Sequence, residues 1–205
     1  MVSMMDDYKK ITQDSYDHFA KELDQKFEKH FQTNVKKFCD LFLKEIQGNK
    51  IVDLGCGPGN HAEYFQRKGL DVLCVDFSKE MLAICKKKKL KNQYMDLEHI
   101  TLPDGSFDGV WAFASLLNIS RKSIPPVIAK MAKVLKQGGI LGLSMKEGQK
   151  EGIEVESHTK RPRYLSYFSD SELRKLFTPY FEILFFTRTA EKGRSVFLSY
   201  IMKLK

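Results

Sequence analysis

Apolar side chains recur at intervals of three and four near the start of the chain. Tyr16, Phe19, Leu23, Phe27 and Phe31 fall on one helical stripe. Val35, Phe38, Phe42 and Ile46 lie on the apolar face of a second helix, which Gly48 is placed to end. Beyond Gly48 the pattern changes to short apolar runs alternating with amphipathic ones. Residues 50–54 read as a strand running into glycines, 60–68 as a helix stopped by Gly69, and 70–76 as a second strand. Ser78 is positioned to cap a helix carrying Met81, Leu82 and Cys85. Residues 93–97 and 107–116 read as a third and a fourth strand. Residues 124–136 form a helix with Pro125 and Pro126 in its first turn, and 140–145 a fifth strand after Gly138 and Gly139.

Buried-type strands alternating with helices predict a parallel sheet covered on both faces. The end of the chain breaks that rhythm. Ser169 and Glu172 have capping-box spacing ahead of Leu173, Leu176 and Phe177. Two further strands, 181–187 and 195–202, are joined by so short a turn that they must pair antiparallel, because a parallel crossover needs a dozen residues or more.

The chemistry is concentrated where the first strand ends. Val52-Asp53-Leu54-Gly55-Cys56-Gly57-Pro58-Gly59 is a glycine turn after a strand, where missing side chains let a ligand lie against backbone and helix N-terminus. Asn60 stands where a dinucleotide fingerprint has its third glycine, which disfavours NAD and FAD. No Gly-Lys-Ser/Thr follows, so the turn is not a P-loop. Asp76 ends the second strand about 20 residues on, where a carboxylate can accept both hydroxyls of a ribose. Asp96, between Met95 and Leu97, is placed to accept from the exocyclic amine of an adenine lying against apolar neighbours.

These segments, with Phe107-Asp108-Gly109-Val110-Trp111 and Leu135-Lys136-Gln137-Gly138-Gly139-Ile140, resemble the successive motifs of class I S-adenosylmethionine-dependent methyltransferases. The resemblance runs from Gly48 to the C-terminus. It implies a Rossmann-like, doubly wound α/β fold with a seven-stranded sheet of order 3-2-1-4-5-7-6, strand 7 antiparallel. Residues 1–47 would be an N-terminal helical lid, 48–205 the methyltransferase domain, and 146–168 an insertion covering the substrate. The implied cofactor is S-adenosylmethionine, leaving as S-adenosylhomocysteine. Its expected contacts are Tyr16, Asp53, Gly55, Cys56, Gly57, Gly59, Asp76, Phe77, Met81, Met95, Asp96, Leu97 and Ala112.

Methyl transfer is an in-line displacement at an activated methyl, so alignment of the reactants supplies much of the rate. A base is needed only where the acceptor must lose a proton. No catalytic residue stands out. Asn118 occupies a position held by histidine in some related small-molecule enzymes and cannot act as a base near neutral pH. Asn118, Arg161, Arg163, Tyr164 and Tyr167 are the candidate acceptor contacts, the arginines suiting a carboxylate or phosphate. No Asn/Asp-Pro-Pro-aromatic segment follows the fourth strand and no Pro-Cys nucleophile exists, which disfavours two kinds of nucleobase methylation.

Composition adds boundaries. Hydrophobic residues make up 42% and charged ones 29%, ordinary values for a globular chain. No apolar stretch approaches a membrane span, and residues 1–10 do not read as a signal peptide, so a cytoplasmic location is expected. The four cysteines (Cys39, Cys56, Cys74, Cys85) are scattered without metal-binding spacing, and His18, His30, His61, His99 and His158 suggest neither metal nor triad. The formal net charge of +8 and the run Lys86 to Lys89 with Lys91 admit a tRNA or rRNA substrate, although lysines also suit a helix C-terminus. The leading expectation is a small-molecule methyltransferase; an RNA methyltransferase and a non-catalytic binding protein of the same fold are the alternatives.

Overall fold

The computed structural model describes residues 4–155, 161–190 and 195–205; His158 and most of the turn before the final strand lie outside them. Three helices lead: α1 (Met4–His18), α2 (Ala20–His30) and α3 (Lys36–Glu45), the last two linked through a π-helical turn at Phe31–Val35. The aromatic stripe thus spans two helices. The chain breaks at Phe19, whose backbone (φ −108°, ψ 18°) leaves the helical region. Gly48 does not cap α3, which stops at Glu45; Ile46 is already extended and packs toward Gly109.

The strands β1 (Lys50–Leu54), β2 (Asp71–Asp76), β3 (Lys91–Tyr94), β4 (Phe107–Phe113) and β5 (Leu135–Lys146) alternate with α4 (Asn60–Arg67), α5 (Lys79–Lys87) and α6 (Ile124–Val134). A hairpin of β6 (Glu151–Val155) and β7 (Pro162–Ser166) precedes α7 (Asp170–Phe177), β8 (Phe181–Ala190) and β9 (Val196–Leu204). The seven-stranded sheet has the order β3-β2-β1-β4-β5-β9-β8, with β9 antiparallel to both neighbours. This is the expected Rossmann-like arrangement, β8 and β9 taking the sixth and seventh places because the insertion forms its own two-stranded sheet.

Several boundaries differ from expectation for local reasons. The third strand ends at Tyr94 because the Asp96 side chain accepts from the Glu98 amide and turns the chain into a short 3-10 segment. Helix α6 ends at Val134, since Leu135 is extended and pairs with Phe107. The capping box at Ser169 and Glu172 forms as the spacing predicts.

Each sheet face carries its own core. On one side Ile124, Ile128 and Met131 of α6 and Leu173 and Phe177 of α7 cover β4, β5 and β9. On the other, Phe38 and Phe42 of α3 and Phe65 of α4 surround Trp111, with Phe42 and Trp111 ring centres 4.9 Å apart. No helix among the described residues is long and apolar enough to cross a membrane. In the lysine run, Lys88 pairs with Asp24 and Lys91 with Asp71.

Phe42 is fully buried and touches both Phe65 and Trp111. Phe42→Ala is expected to cost about 3–5 kcal/mol, the usual loss for an aromatic removed from a packed core. Urea unfolding followed by circular dichroism measures this; a loss below about 1 kcal/mol would contradict the assigned packing.

Candidate functional site

The polypeptide leaves β1 through a turn that its residue types dictate. Gly55, Gly57 and Gly59 have φ of 74°, 53° and 79°, a region costly for side chains other than glycine. At Gly55 there is also no room, because an added Cβ would overlap the Cβ of Ser115. At Gly57 the approach is open, with Phe27 as the one neighbour at 3.9 Å, so the backbone is bare toward the interior. The turn is tied to β2: Gly55 and Cys56 donate to the Val75 carbonyl at 2.7 and 3.0 Å, and Gly57 donates to Asp76 Oδ2 at 2.8 Å.

A cavity of about 760 Å³ opens beyond the C-terminal ends of β1, β2 and β4, the usual ligand position in an open α/β sheet. Tyr16, Gly55, Cys56, Gly57, Asp76, Phe77, Met81, Asp96, Leu97, Asn118, Arg163 and Tyr167 all line it. Six expected contacts do not. Asp53 is buried among the core side chains, where desolvation first, then the nearby Cys85 and Asp76, holds its carboxyl well above the usual range. Gly59 faces backward onto Leu90 and Cys85. Met95 and Ala112 point into the hydrophobic core. Arg161 lies over the Phe19 ring, 5.9 Å from its centre. Tyr164 packs against Tyr8, ring centres 4.3 Å apart and planes tilted by 38°, and lines a separate groove with Glu151 and Ile153.

Asp76 is 8% exposed, and each carboxylate oxygen accepts one backbone amide, Oδ2 from Gly57 and Oδ1 from Ser78, both at 2.8 Å. A carboxylate has about four acceptor sites, so each oxygen keeps capacity for one further donor. Burial raises its pKa to about 6 against the opposing pull of those two amides. Asp96 sits differently from expectation: Lys9 of α1 donates to its Oδ2 at 2.6 Å, and also pairs with Glu98 at 2.6 Å. Those partners hold Asp96 below the ordinary carboxylate range despite its burial.

Residues that the sequence pattern did not single out complete the walls. Helix α1 is fastened to the strand ends by polar contacts. Gln13 donates to the Phe77 carbonyl at 2.5 Å, Ser78 Oγ to Asp17 at 2.5 Å, and Tyr8 to Glu98. His61 also lines the cavity; its Nδ1 accepts from Trp111 Nε1 at 3.1 Å, and burial lowers its pKa to about 3. It is therefore a neutral ring presenting an Nε2 donor. Phe197 and Ser199 reach the far wall from β9, where alternation along an antiparallel strand aims them inward without any motif to mark them.

Residues 52–143 match the family model described as a methyltransferase domain. The chain is 28% identical over 144 residues to a malonyl-[acyl-carrier protein] O-methyltransferase of Hamiltonella defensa, an alignment covering 66% of this chain and 54% of that protein. Among solved structures, it superposes on 1,6-didemethyltoxoflavin-N1-methyltransferase of Burkholderia thailandensis, with 1,6-didemethyltoxoflavin and S-adenosylhomocysteine bound. The TM-score is 0.74 at 16% identity, with 100% of this chain and 92% of that one covered. A SAM-dependent methyltransferase of Methanosarcina mazei gives 0.70 at 20% identity, covering 80% and 96%. Residues 52–143 thus carry a methyltransferase domain, and the chain resembles the class I S-adenosylmethionine-dependent methyltransferases in fold. It spans about half the length, or less, of the curated relatives it matches.

The cavity suits the methyl donor that defines this class. The bare turn at Gly55 and Gly57 leaves space for a chain of atoms, Asp76 has two acceptor positions to spare, and Ser115 Oγ and Asn118 Oδ1 are buried without a hydrogen-bond partner. Unpartnered buried polar atoms are uncommon and fit a wall built to meet a polar ligand.

Ribose hydroxyls donate to an ionised carboxylate, whereas a protonated Asp76 loses acceptor capacity. With the folded pKa raised from 3.8 to about 6, S-adenosylhomocysteine affinity is expected to be full above that value. As pH falls below it, affinity should drop, approaching about tenfold per pH unit. Because the shift is upward, the fold itself is stabilised, not weakened, by protonation of this group between about pH 6 and 4. Calorimetric titration from pH 8 to 5 tests the assignment. Asp76→Asn should weaken binding at pH 8 and flatten the acid limb; an unchanged limb would reject it.

Proposed function

We propose that this chain transfers a methyl group from S-adenosylmethionine to a small acceptor bearing an anionic group, and that α1 to α3 (residues 1–47) close the pocket as a lid. The observation that carries the reading is the composition of a single continuous cavity. The bare glycine turn and Asp76 line it together with Tyr16, Asn118 and the buried Arg163.

S-adenosylmethionine, when bound, supplies a methyl already activated for displacement. The protein then has to bind, align and exclude water. Asp76 is suited to the ribose and Gly57 to the chain running past the turn. Phe77, Met81 and Leu97 offer apolar faces for the adenine, and Lys9 on Asp96 links that part of the wall to α1. On the same cavity wall Tyr16 is the hinge of a small network. Arg163 donates to its hydroxyl at 2.5 Å and lies 4.9 Å over its ring, while Asn118 donates to the same hydroxyl at 3.2 Å. A guanidinium presents its N–H donors in a fork that matches a carboxylate or phosphate.

Neither His61 nor Asn118 is suited to remove a proton. The first is depressed by burial with Nδ1 engaged, and the second is an amide. The reading is therefore an acceptor that reaches the site already nucleophilic, such as a carboxylate. A relative named for the malonyl group of acyl-carrier protein and a structural neighbour named for a ring nitrogen show that the fold serves different acceptor atoms.

The test is a methyl-transfer screen of small organic acids and neutral analogues with labelled donor. Acids are expected to turn over and their amides to fail. With an active acid in hand, Arg163→Ala should raise KM at least about tenfold, the loss of one charge-assisted contact, and leave S-adenosylhomocysteine affinity unchanged. An unchanged KM would remove Arg163 from the acceptor site, and turnover of neutral compounds alone would overturn the anionic reading.

A further inference from the structure

Cysteines that are scattered along the sequence converge behind the glycine turn. Cys56 comes from the turn itself, Cys74 from β2 and Cys85 from α5. All three are buried, and their sulfurs lie within 4.8 Å of one another, with Cys56 and Cys85 at 3.8 Å. Cys39, the fourth cysteine of the chain, stands outside this group. Small apolar residues would fill this space equally well, so the convergence of three thiols calls for a chemical explanation.

Three sulfurs on a pyramidal three-coordinate ion with bonds of about 2.3 Å sit roughly 3.5 Å apart. The three sulfurs here, within 4.8 Å of one another, are near that spacing and would have to draw together on binding. The same geometry disfavours ions that need more ligands. Among the described residues no histidine or carboxylate joins the group, and zinc in structural sites takes four. Charge narrows the choice further. A monovalent or divalent ion on three thiolates would leave net negative charge inside the protein, which is costly when buried. Lys88, the cation whose field acts on Cys85, is already paired with Asp24 at 2.7 Å. A trivalent, three-coordinate, thiophilic ion leaves the site neutral.

We propose that Cys56, Cys74 and Cys85 form a three-thiol site for a trivalent thiophilic element, typified by arsenic(III), and that its occupation opposes cofactor binding. With arsenous acid, three As–O bonds break and three As–S bonds form. Each departing hydroxide takes one thiol proton and leaves as water, and no electrons are transferred.

The coupling runs through one residue. Cys56 and Cys85 both reach the Gly57 carbonyl, at 3.4 and 3.3 Å, while the Gly57 amide holds Asp76. Drawing the sulfurs onto an ion removes their S–H groups from that carbonyl and pulls Cys56, which lies between Gly55 and Gly57. The turn and Asp76 then leave the positions that suit a nucleoside.

The test uses the reduced full chain and arsenite. Native mass spectrometry should show one arsenic per chain with the loss of three hydrogens, and X-ray absorption should show three sulfur neighbours. After denaturation only one of the four thiols should alkylate. Calorimetry should show S-adenosylhomocysteine affinity reduced at least about tenfold. Cys85→Ser and Cys74→Ala should abolish one-to-one uptake, and Cys39→Ala should not. No uptake, coordination by fewer than three sulfurs, equal uptake by Cys85→Ser, or unchanged nucleoside affinity would overturn the proposal. If a variant fails to fold, the wild-type absorption spectrum decides by its sulfur count. Arsenic uptake is measured without methyl transfer, so it stands or falls separately from the proposed activity.

Discussion

The hydrogen bond from the Gly57 amide to Asp76 joins the first strand's turn to the end of the second strand, and the site's geometry depends on it. Neither partner could be placed alone. Gly57 holds a left-handed conformation that is cheap only for glycine, and Asp76 is a nearly buried carboxylate that needs backbone donors to be tolerated. Each satisfies the other's requirement. Between them they leave a bare backbone beside a charged acceptor. The Gly55 position adds a steric limit, since Ser115 after β4 fills the space a side chain would use. Three neighbouring strands are thereby locked to one turn.

The helical N-terminus shows a different economy. Helix α1 is held over the strand ends mainly by polar groups, including Lys9 on Asp96 and Glu98, Gln13 on the Phe77 carbonyl and Asp17 on Ser78. Partly exposed ion pairs of this kind contribute little each, commonly below about 1 kcal/mol. Helix α3, by contrast, is anchored by Phe38, Phe42 and Trp111 in a dry core. The proposed lid would thus be tied by individually weak polar contacts at one end and by aromatic packing at the other.

The sheet order was legible because the mostly buried strands β1, β2, β4 and β5 are set among amphipathic helices, and the short final connection forces an antiparallel pair; β3 is exposed along its length and reaches β4 through only a short 3-10 segment. The glycine turn and Asp76 were legible because their chemistry is local in sequence. What escaped was whatever depends on contacts between distant segments. Met95 and Ala112 flank motif positions, yet both side chains pack into the core, Ala112 from within β4 and Met95 just past the end of β3. Asp96 has the expected place, but its partner Lys9 is 87 residues away. The three converging cysteines carry no spacing signal because each comes from a different element. Phe197 and Ser199 enter the cavity from a strand that has no motif at all.

Saturable binding of S-adenosylhomocysteine is the sharpest test of these assignments. Isothermal titration of the wild-type chain at pH 8 should give one site per chain, with affinity lost in Gly55→Ala, where Ser115 leaves no room for the added methyl. Absence of heat at millimolar ligand from a folded chain, or equal affinity in Gly55→Ala, would contradict the assignment of this turn as the wall of a nucleoside pocket.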